Sequence, residues 1–155
     1  MNKNRSETIA LLLAKYPNAF FVMSNGLTSR EAAHFNRQNR CFYLLHAMGE
    51  ALSVGIGLAN ALPNLQVVVI DGDGNALMGL SSWCLMPMKN LKYYILRNGC
   101  YATTGKQKIP DLPIIPNWCN VLDIEDCNKK TPNPPQPLDI INKAKSWLNC
   151  FKNEK

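Results

Sequence analysis

Histidine is scarce in this chain: His34 and His46 are the only two in 155 residues. That argues against a metal site built on histidines, because zinc centres draw on several Cys or His ligands at short spacing. The six cysteines do not make up the lack. Cys41, Cys84, Cys100, Cys119, Cys127 and Cys150 include no C-x-x-C pair, and free thiols in a reducing compartment are expected rather than a disulfide framework. No stretch approaches the roughly 20 apolar residues of a membrane span. The polar start, Met1 to Glu7, leads into an amphipathic segment and does not read as a signal peptide. Internal repeats are absent, as are a P-loop and a G-x-G-x-x-G after the first strand. Acidic residues are outnumbered, 11 against 17 Lys and Arg, for a net charge of +6. The basic residues are scattered, however. Their densest group, Lys143, Lys145, Lys152 and Lys155, reads as the solvated face of a C-terminal helix and tail. A small anionic substrate or an acidic partner subunit suits this excess better than nucleic acid. The expectation is a soluble, cytoplasmic, single domain spanning residues 1–155, with neither a nucleic-acid nor a membrane partner.

What is present is an alternation of strands and helices. Ile9, Leu12, Leu13 and Tyr16 recur at helical spacing behind a Ser6 cap. Phe20 to Met23 reads as a short buried strand. Thr28 to Glu31 reads as a capping box opening a helix that runs to about Arg37. Cys41 to Leu45 is a second apolar run. His46 to Leu62 reads as a helix whose Gly49, Gly55 and Gly57 imply close approach of another backbone. Val67 to Ile70 is continuously apolar, as in a central parallel strand buried on both faces. A helix from about Ala76 to Met86, a strand over Leu91–Leu96, a last strand over Val121–Ile124 and a helix from Leu138 to about Phe151 complete the pattern. Pro110, Pro113 and Pro116 mark one rigid connection; Pro132, Pro134, Pro135 and Pro137 mark another. This rhythm predicts a three-layer, Rossmann-like α/β domain with a mainly parallel sheet of five or six strands.

In such sheets ligands bind beyond the carboxyl ends of the strands. Two strand ends carry unusual residues, Gly72-Asp73-Gly74 and Asn98-Gly99-Cys100-Tyr101. The spacing of 25 positions from Asp73 to Asn98, one helix and one strand, brings both to the same sheet edge. A carboxylate, an amide oxygen and a backbone carbonyl are hard ligands suited to Mg²⁺, and glycine amides at a helix start suit a phosphate. A tight turn with no ligand explains Gly72-Asp73-Gly74 equally simply.

The segment from Val67 to Gly74, followed by Asn98-Gly99-Cys100-Tyr101-Ala102-Thr103-Thr104-Gly105-Lys106-Gln107, resembles the pyrophosphate-binding domain of thiamine-diphosphate enzymes, in particular the phosphonopyruvate and sulfopyruvate decarboxylase group. Ser24-Asn25-Gly26-Leu27-Thr28-Ser29-Arg30-Glu31 is similar to that group's Thr-Gly-x-Thr-Ser-Arg-Glu segment. Ala47-Met48-Gly49-Glu50-Ala51 is similar to its Ser-Met-Gly-His-Ala. The core motifs cover residues 20–107, and 108–155 form a divergent, shortened remainder. The resemblance implies Mg²⁺ ligation by Asp73, Asn98 and the Cys100 carbonyl. It implies diphosphate contacts from Gly72, Gly74 and Asn75. Ala47, Met48 and Gly49 would lie against the thiazolium and pyrimidine, with Asn25, Gly26 and Leu27 beside the aminopyrimidine and Tyr101 on the same wall. It further implies a split 2-oxoacid decarboxylase, acting on sulfopyruvate or phosphonopyruvate with thiamine diphosphate and Mg²⁺. This chain would be the β-type subunit, and a pyrimidine-binding, α-type subunit would bring the activating glutamate. The exposed half-site leaves self-association open. A non-catalytic regulatory or binding subunit and a different Rossmann-like nucleotide module are the alternative readings. Departures from the group are Arg97 before the metal-binding Asn, Glu50 for His, Lys106 for Gly, and a short proline-rich loop over Lys108–Asn120 in place of a helix–strand segment. Arg30 is a candidate for a substrate phosphonate or sulfonate and equally a solvated helix arginine; His46 is a candidate diphosphate contact and equally a buried structural side chain.

Overall fold

The computed structural model of the chain describes residues 3–35, 39–125, 133 and 135–153. Arg37, Cys127, Pro132, Pro134 and Lys155, named above, lie outside them. The described elements are β1 (Lys3–Asn4), α1 (Arg5–Lys15), β2 (Phe20–Met23), α2 (Leu27–Phe35), β3 (Cys41–Tyr43), α3 (Ala51–Ala61), β4 (Val67–Gly72), α4 (Asp73–Met78), a 3₁₀ segment (Leu80–Leu85), β5 (Leu91–Arg97), β6 (Cys100–Tyr101), β7 (Gln107–Lys108), β8 (Cys119–Glu125) and α5 (Pro137–Asn153).

Six strands form one parallel sheet in the order β1-β8-β5-β4-β2-β3. β4 runs through its middle, with Val67, Val68, Val69 and Ile70 all sealed from solvent. Alternation along the strand splits them between two cores. Val67 and Val69 join Phe20, Val22, Leu52, Ile56, Tyr93 and Ala144 on the α3 and α5 side. Val68 and Ile70 join Ile9, Leu12, Phe21, Met23, Leu96 and Ile124 on the α1 and α2 side. Each such buried aliphatic side chain contributes about 1.5–3 kcal/mol of hydrophobic stabilisation.

The helix boundaries differ from the sequence expectation where side chains from elsewhere decide them. Asn4, not Ser6, caps α1: its Oδ1 accepts from the Glu7 amide at 2.9 Å, and Glu7 Oε2 accepts from the Asn4 amide at 3.2 Å. The expected Thr28–Glu31 box is absent, because α2 already starts at Leu27 and Glu31 turns to α1, accepting from Arg5 and Ser6. The helix expected from His46 is the shorter α3. Ahead of it the chain makes a turn with positive φ at His46 (57°) and Gly49 (83°), and Glu50 is the N-cap residue rather than part of the helix. The helix expected over Ala76–Met86 is two pieces broken at Gly79. A Cβ on Gly79 would lie 2.3 Å from the Gly49 carbonyl oxygen, so two backbones meet at this break.

Long-range caps secure two helix ends. The Arg40 guanidinium reaches the carbonyls of Leu13 (2.8 Å) and Tyr16 (2.6 Å) at the end of α1. The Asn90 amide lies among the carbonyls of Ala59, Leu62 and Leu65 beyond α3. Both satisfy acceptors that a helix end leaves open. Two thiols are sunk in the cores. Burial pushes Cys41 up to about 12 and Cys119 up to about 11, so both stay protonated.

Candidate cofactor cleft

The strand order fixes where a ligand fits. From β2 the chain moves outward to β3, returns across β2 to β4, and then proceeds the other way through β5 to β8. The switch point lies between the carboxyl ends of β2 and β4, the crevice where open α/β sheets bind ligands. A cleft opens there. Its walls are Asn25, Gly26, Leu27 and Thr28 after β2, Gly72, Asp73, Gly74 and Asn75 after β4, and Asn98, Cys100, Tyr101, Ala102 and Thr103 after β5. Met48, Leu96, Ile109 and Arg5 complete them.

Asp73 organises this edge. It is 3% exposed. Its Oδ2 accepts from the amides of Gly99 (2.7 Å) and Asn98 (3.1 Å), and its Oδ1 accepts from Gly74 at 3.0 Å. The carboxylate thereby ties the turn after β5 to the start of α4. Gly99 takes φ +72°, a left-handed conformation that glycine adopts without strain. A carboxylate has about four acceptor sites, so three backbone bonds leave one for a cation. The Asn98 side-chain amide donates to Cys100 Sγ at 3.4 Å. Tyr101 lies over Gly74, where a Cβ would stand 2.5 Å from the ring.

Two of the expected phosphate donors are already engaged. The Gly72 amide donates to Asp71 Oδ1 at 2.9 Å, and the Gly74 amide donates to Asp73. Gly72 and Gly74 therefore shape the cleft rather than offer exposed amides, contrary to the sequence reading. Ala47 and Gly49 stand behind the wall. Ala47 packs against the α3-side core. Gly49 donates to Asn75 Oδ1 at 3.3 Å, which couples the Met48 turn to the loop after β4. Met48 itself stays 39% exposed on the cleft wall.

Asp71, one strand position before Gly72, is a different carboxyl. It is buried, accepts from the Tyr93 hydroxyl at 3.0 Å, and is pushed up to about 7 by loss of hydration. Hydrogen bonds from Tyr93 and Gly72 hold that rise back, and the charge of Asp73 adds to it. Arg97 turns away from the cleft into a two-pronged pair with Asp123, at 2.6 and 2.9 Å. Neither Arg30 nor His46 lines the cleft. Arg5 does, and nothing in its local sequence announces it, because a neighbouring helix folds it there.

The cleft suits the group that the sequence resemblance implies. The Asn25 Oδ1, buried at the cleft wall, has no hydrogen-bond partner among the described residues, an acceptor that a ligand's donor would satisfy. Asp73 and the Asn98 amide provide hard donors of the kind Mg²⁺ takes. Among the described residues no group of three His, Cys, Asp or Glu side chains is placed to hold a metal. A cation here would therefore need amide, carbonyl and ligand oxygens besides Asp73. No helix of the described chain is long and apolar enough to cross a membrane.

Residues 24–117 match the family described as thiamine pyrophosphate enzyme, C-terminal TPP binding domain. The chain is 38% identical over 131 residues to phosphonopyruvate decarboxylase of Streptomyces hygroscopicus, covering 79% of this chain and 32% of that one. It is 38% identical over 112 residues to sulfopyruvate decarboxylase subunit beta of Methanocaldococcus jannaschii, covering 70% and 59%. The chain thus spans about a third to three-fifths of these relatives. In fold it is similar to 2-oxoglutarate:ferredoxin oxidoreductase from Magnetococcus marinus, with a TM-score of 0.53 at 22% identity, covering 96% of this chain and 53% of that one. It is also similar to the thiamine diphosphate-dependent 4-hydroxybenzoylformate decarboxylase of Rhodococcus jostii RHA1, with a TM-score of 0.51 at 20% identity, covering 94% and 26%.

Proposed function

The chain belongs to the thiamine pyrophosphate enzyme family, as its C-terminal TPP binding domain, and from that premise we propose that it is the cofactor-binding subunit of a split 2-oxoacid decarboxylase, with sulfopyruvate or phosphonopyruvate as substrate. The observation that carries this reading is the convergence of Asp73, Asn98, Cys100, Met48 and Asn25 on one cleft at the switch point. In this reading Asp73, the Asn98 side chain and the Cys100 carbonyl would hold Mg²⁺, and Asn75 would contact the diphosphate. Gly72 leaves the wall open, and Gly74 makes room for the Tyr101 ring that lines the cleft. Asn25, Gly26, Leu27, Met48 and Tyr101 flank the rings, with Ala47 and Gly49 supporting Met48 from behind. Thiamine diphosphate, when bound, supplies an electron sink for the carbanion left as CO₂ departs. The chain's own residues fix, orient and partly dry the reacting centre, where fixed dipoles act more strongly than in water.

The carboxylate that activates the pyrimidine belongs, in this proposal, to a second, pyrimidine-binding chain. The name "subunit beta" of the methanogen relatives supports an arrangement of two chain types. Neither sulfopyruvate nor phosphonopyruvate is expected to be decarboxylated by the purified chain with thiamine diphosphate and Mg²⁺. Addition of its pyrimidine-domain partner restores CO₂ release. Turnover by the chain alone, free of other subunits, contradicts the split arrangement; an inactive reconstituted complex that still holds the cofactor favours a regulatory subunit.

A further inference from the structure

From the end of β7 the chain runs through a proline-marked connection, Lys108-Ile109-Pro110-Asp111-Leu112-Pro113-Ile114-Ile115-Pro116. It presents a knob and a hole side by side. The knob is Ile114, 93% exposed and the most exposed large apolar side chain among the described residues. Pro113 has its own φ fixed just ahead of it, and Pro116 confines Ile115 just behind, so the loop has little freedom to fold Ile114 back onto the domain. The hole is a cavity of about 240 Å³ whose apolar lining is Ile109, Pro110, Leu112 and Ile115. An apolar cavity of roughly 150 Å³ accepts a benzene ring, so this one has room for a branched aliphatic side chain. It lies beside the cofactor cleft and shares Asp73 and Ile109 with it.

A single exposed apolar residue needs no explanation of its own. Ile114 differs in that the same loop supplies its complement, which its own chain leaves unfilled. The flanking charges fit the same arrangement. Lys108 and Asp111 are exposed and opposite in sign, and neither enters an ion pair among the described residues. Arg97, at the cavity wall, is near enough to Asp111 to feel its charge, but its two short bonds go to Asp123. A two-fold axis sets residue i of one copy against j of the other and j against i. An axis beside this loop places each Ile114 at the other copy's cavity and allows each Lys108 to meet the other copy's Asp111.

We propose that this loop is a self-association surface, on which a second copy of the chain docks about a two-fold axis with Ile114 of each copy filling the cavity of the other. The inference is independent of the cofactor reading. A contact confined to one short loop buries less than the roughly 1,200 Å² of a stable complex, so the dimer is weak and forms at high protein concentration. Its exposed charges set register and choice of partner more than affinity.

The test is sedimentation velocity of the full chain, without cofactor, from about 1 µM to about 1 mM. The wild type is expected to pass reversibly from monomer to dimer across that range. Ile114→Asp is expected to weaken the dimer at least about tenfold, because the cavity would then have to take in a charge. Lys108→Glu and Asp111→Lys each set like charges across the axis and are expected to weaken it as well. The double variant Lys108→Glu/Asp111→Lys restores unlike pairs and is expected to recover the dimer, which a merely structural role for either residue would not produce. Melting temperatures report whether each variant folds. A wild type that stays monomeric throughout overturns the inference. So does a dimer that Ile114→Asp leaves intact, which puts the contact on another face, and so does a double variant no better than the single ones, which removes the two-fold pairing. A chain monomeric by itself, whose Ile114→Asp variant loses affinity for a pyrimidine-domain subunit, assigns the cavity to that subunit and overturns the inference too. Each of these outcomes leaves the cofactor reading untouched.

Discussion

Asp71 and Asp73 lie two residues apart at one strand end, yet their surroundings give them separate tasks. Asp73 accepts from three backbone amides and faces the cleft. Asp71 points into the α3-side core, where loss of hydration raises it from 3.8 to about 7. Between those values the folded chain holds a proton that the unfolded chain has released, so folding stability falls as pH rises from about 4 to about 7 and levels off above. Every tenfold difference in proton affinity between the two states is worth about 1.4 kcal/mol, which makes the loss a few kcal/mol at most. Asp71→Asn, neutral at every pH and able to donate to the Tyr93 oxygen, is expected to flatten this slope. Chemical denaturation of the metal-free chain at pH 5 and pH 8 checks it, and a slope equal to that of the wild type would show that Asp71 is already charged at neutral pH. The same geometry revises what a substitution at Asp73 does. On sequence grounds Asp73→Ala removes only a metal ligand. In the fold it also strands the amides of Gly74, Asn98 and Gly99, at about 1–3 kcal/mol for each group left unsatisfied. Asp73→Asn keeps one acceptor, enough for the amides of Asn98 and Gly99, turns its NH₂ toward the Gly74 amide and removes the charge, which makes it the cleaner probe of the two.

At the scale of elements, the central strands are legible in the sequence and the helix ends are not. Val67–Ile70 reads as central from its unbroken apolar run, because burial on both faces permits no polar alternation. The 25-residue interval correctly brought Asp73 and Asn98 together, since β4 and β5 are parallel neighbours. The ends of α1 and α3 depend on Arg40 and Asn90, residues far along the chain that local patterns cannot reveal. The edge strand β1 was missed for a similar reason: its partner is β8, on the far side of the sequence. The glycines of α3 show how packing divides residues that look alike in the sequence. A Cβ on Gly55 would stand 2.2 Å from Val69 Cγ2, whereas Gly57 is exposed with nothing within 4 Å. Gly55→Ala is therefore expected to destabilise by about 1–3 kcal/mol through overpacking. Gly57→Ala is expected to stabilise by about 0.4–1 kcal/mol by removing backbone freedom from the unfolded chain. Urea midpoints of the two variants decide the matter, and equal midpoints would mean that α3 does not pack on β4 as described.

For the whole molecule, the proposed function makes the cleft one half of a site. Met48 and, nearby, Met78 are 39% and 56% exposed, and a Cβ on Gly49 would touch the Met78 backbone at 2.9 Å. Apolar surface of this kind beside a polar crevice suits a covering chain. Asn25–Leu27, Met48, Gly72–Asn75, Asn98, Cys100 and Tyr101, which the sequence motifs single out, all line this one cleft. Arg5 escaped because its approach to the cleft depends on how α1 lies against α2, a long-range fact with no local pattern. The central claim, that this cleft binds thiamine diphosphate through Mg²⁺ held at Asp73, is tested most directly by calorimetric titration of the chain with thiamine diphosphate, with and without Mg²⁺, for the wild type and Asp73→Asn. Binding that requires Mg²⁺ in the wild type and falls at least about tenfold in Asp73→Asn, the scale of a lost charged ligand, is the predicted result. Equal affinity in the two proteins, or binding indifferent to Mg²⁺, would contradict it.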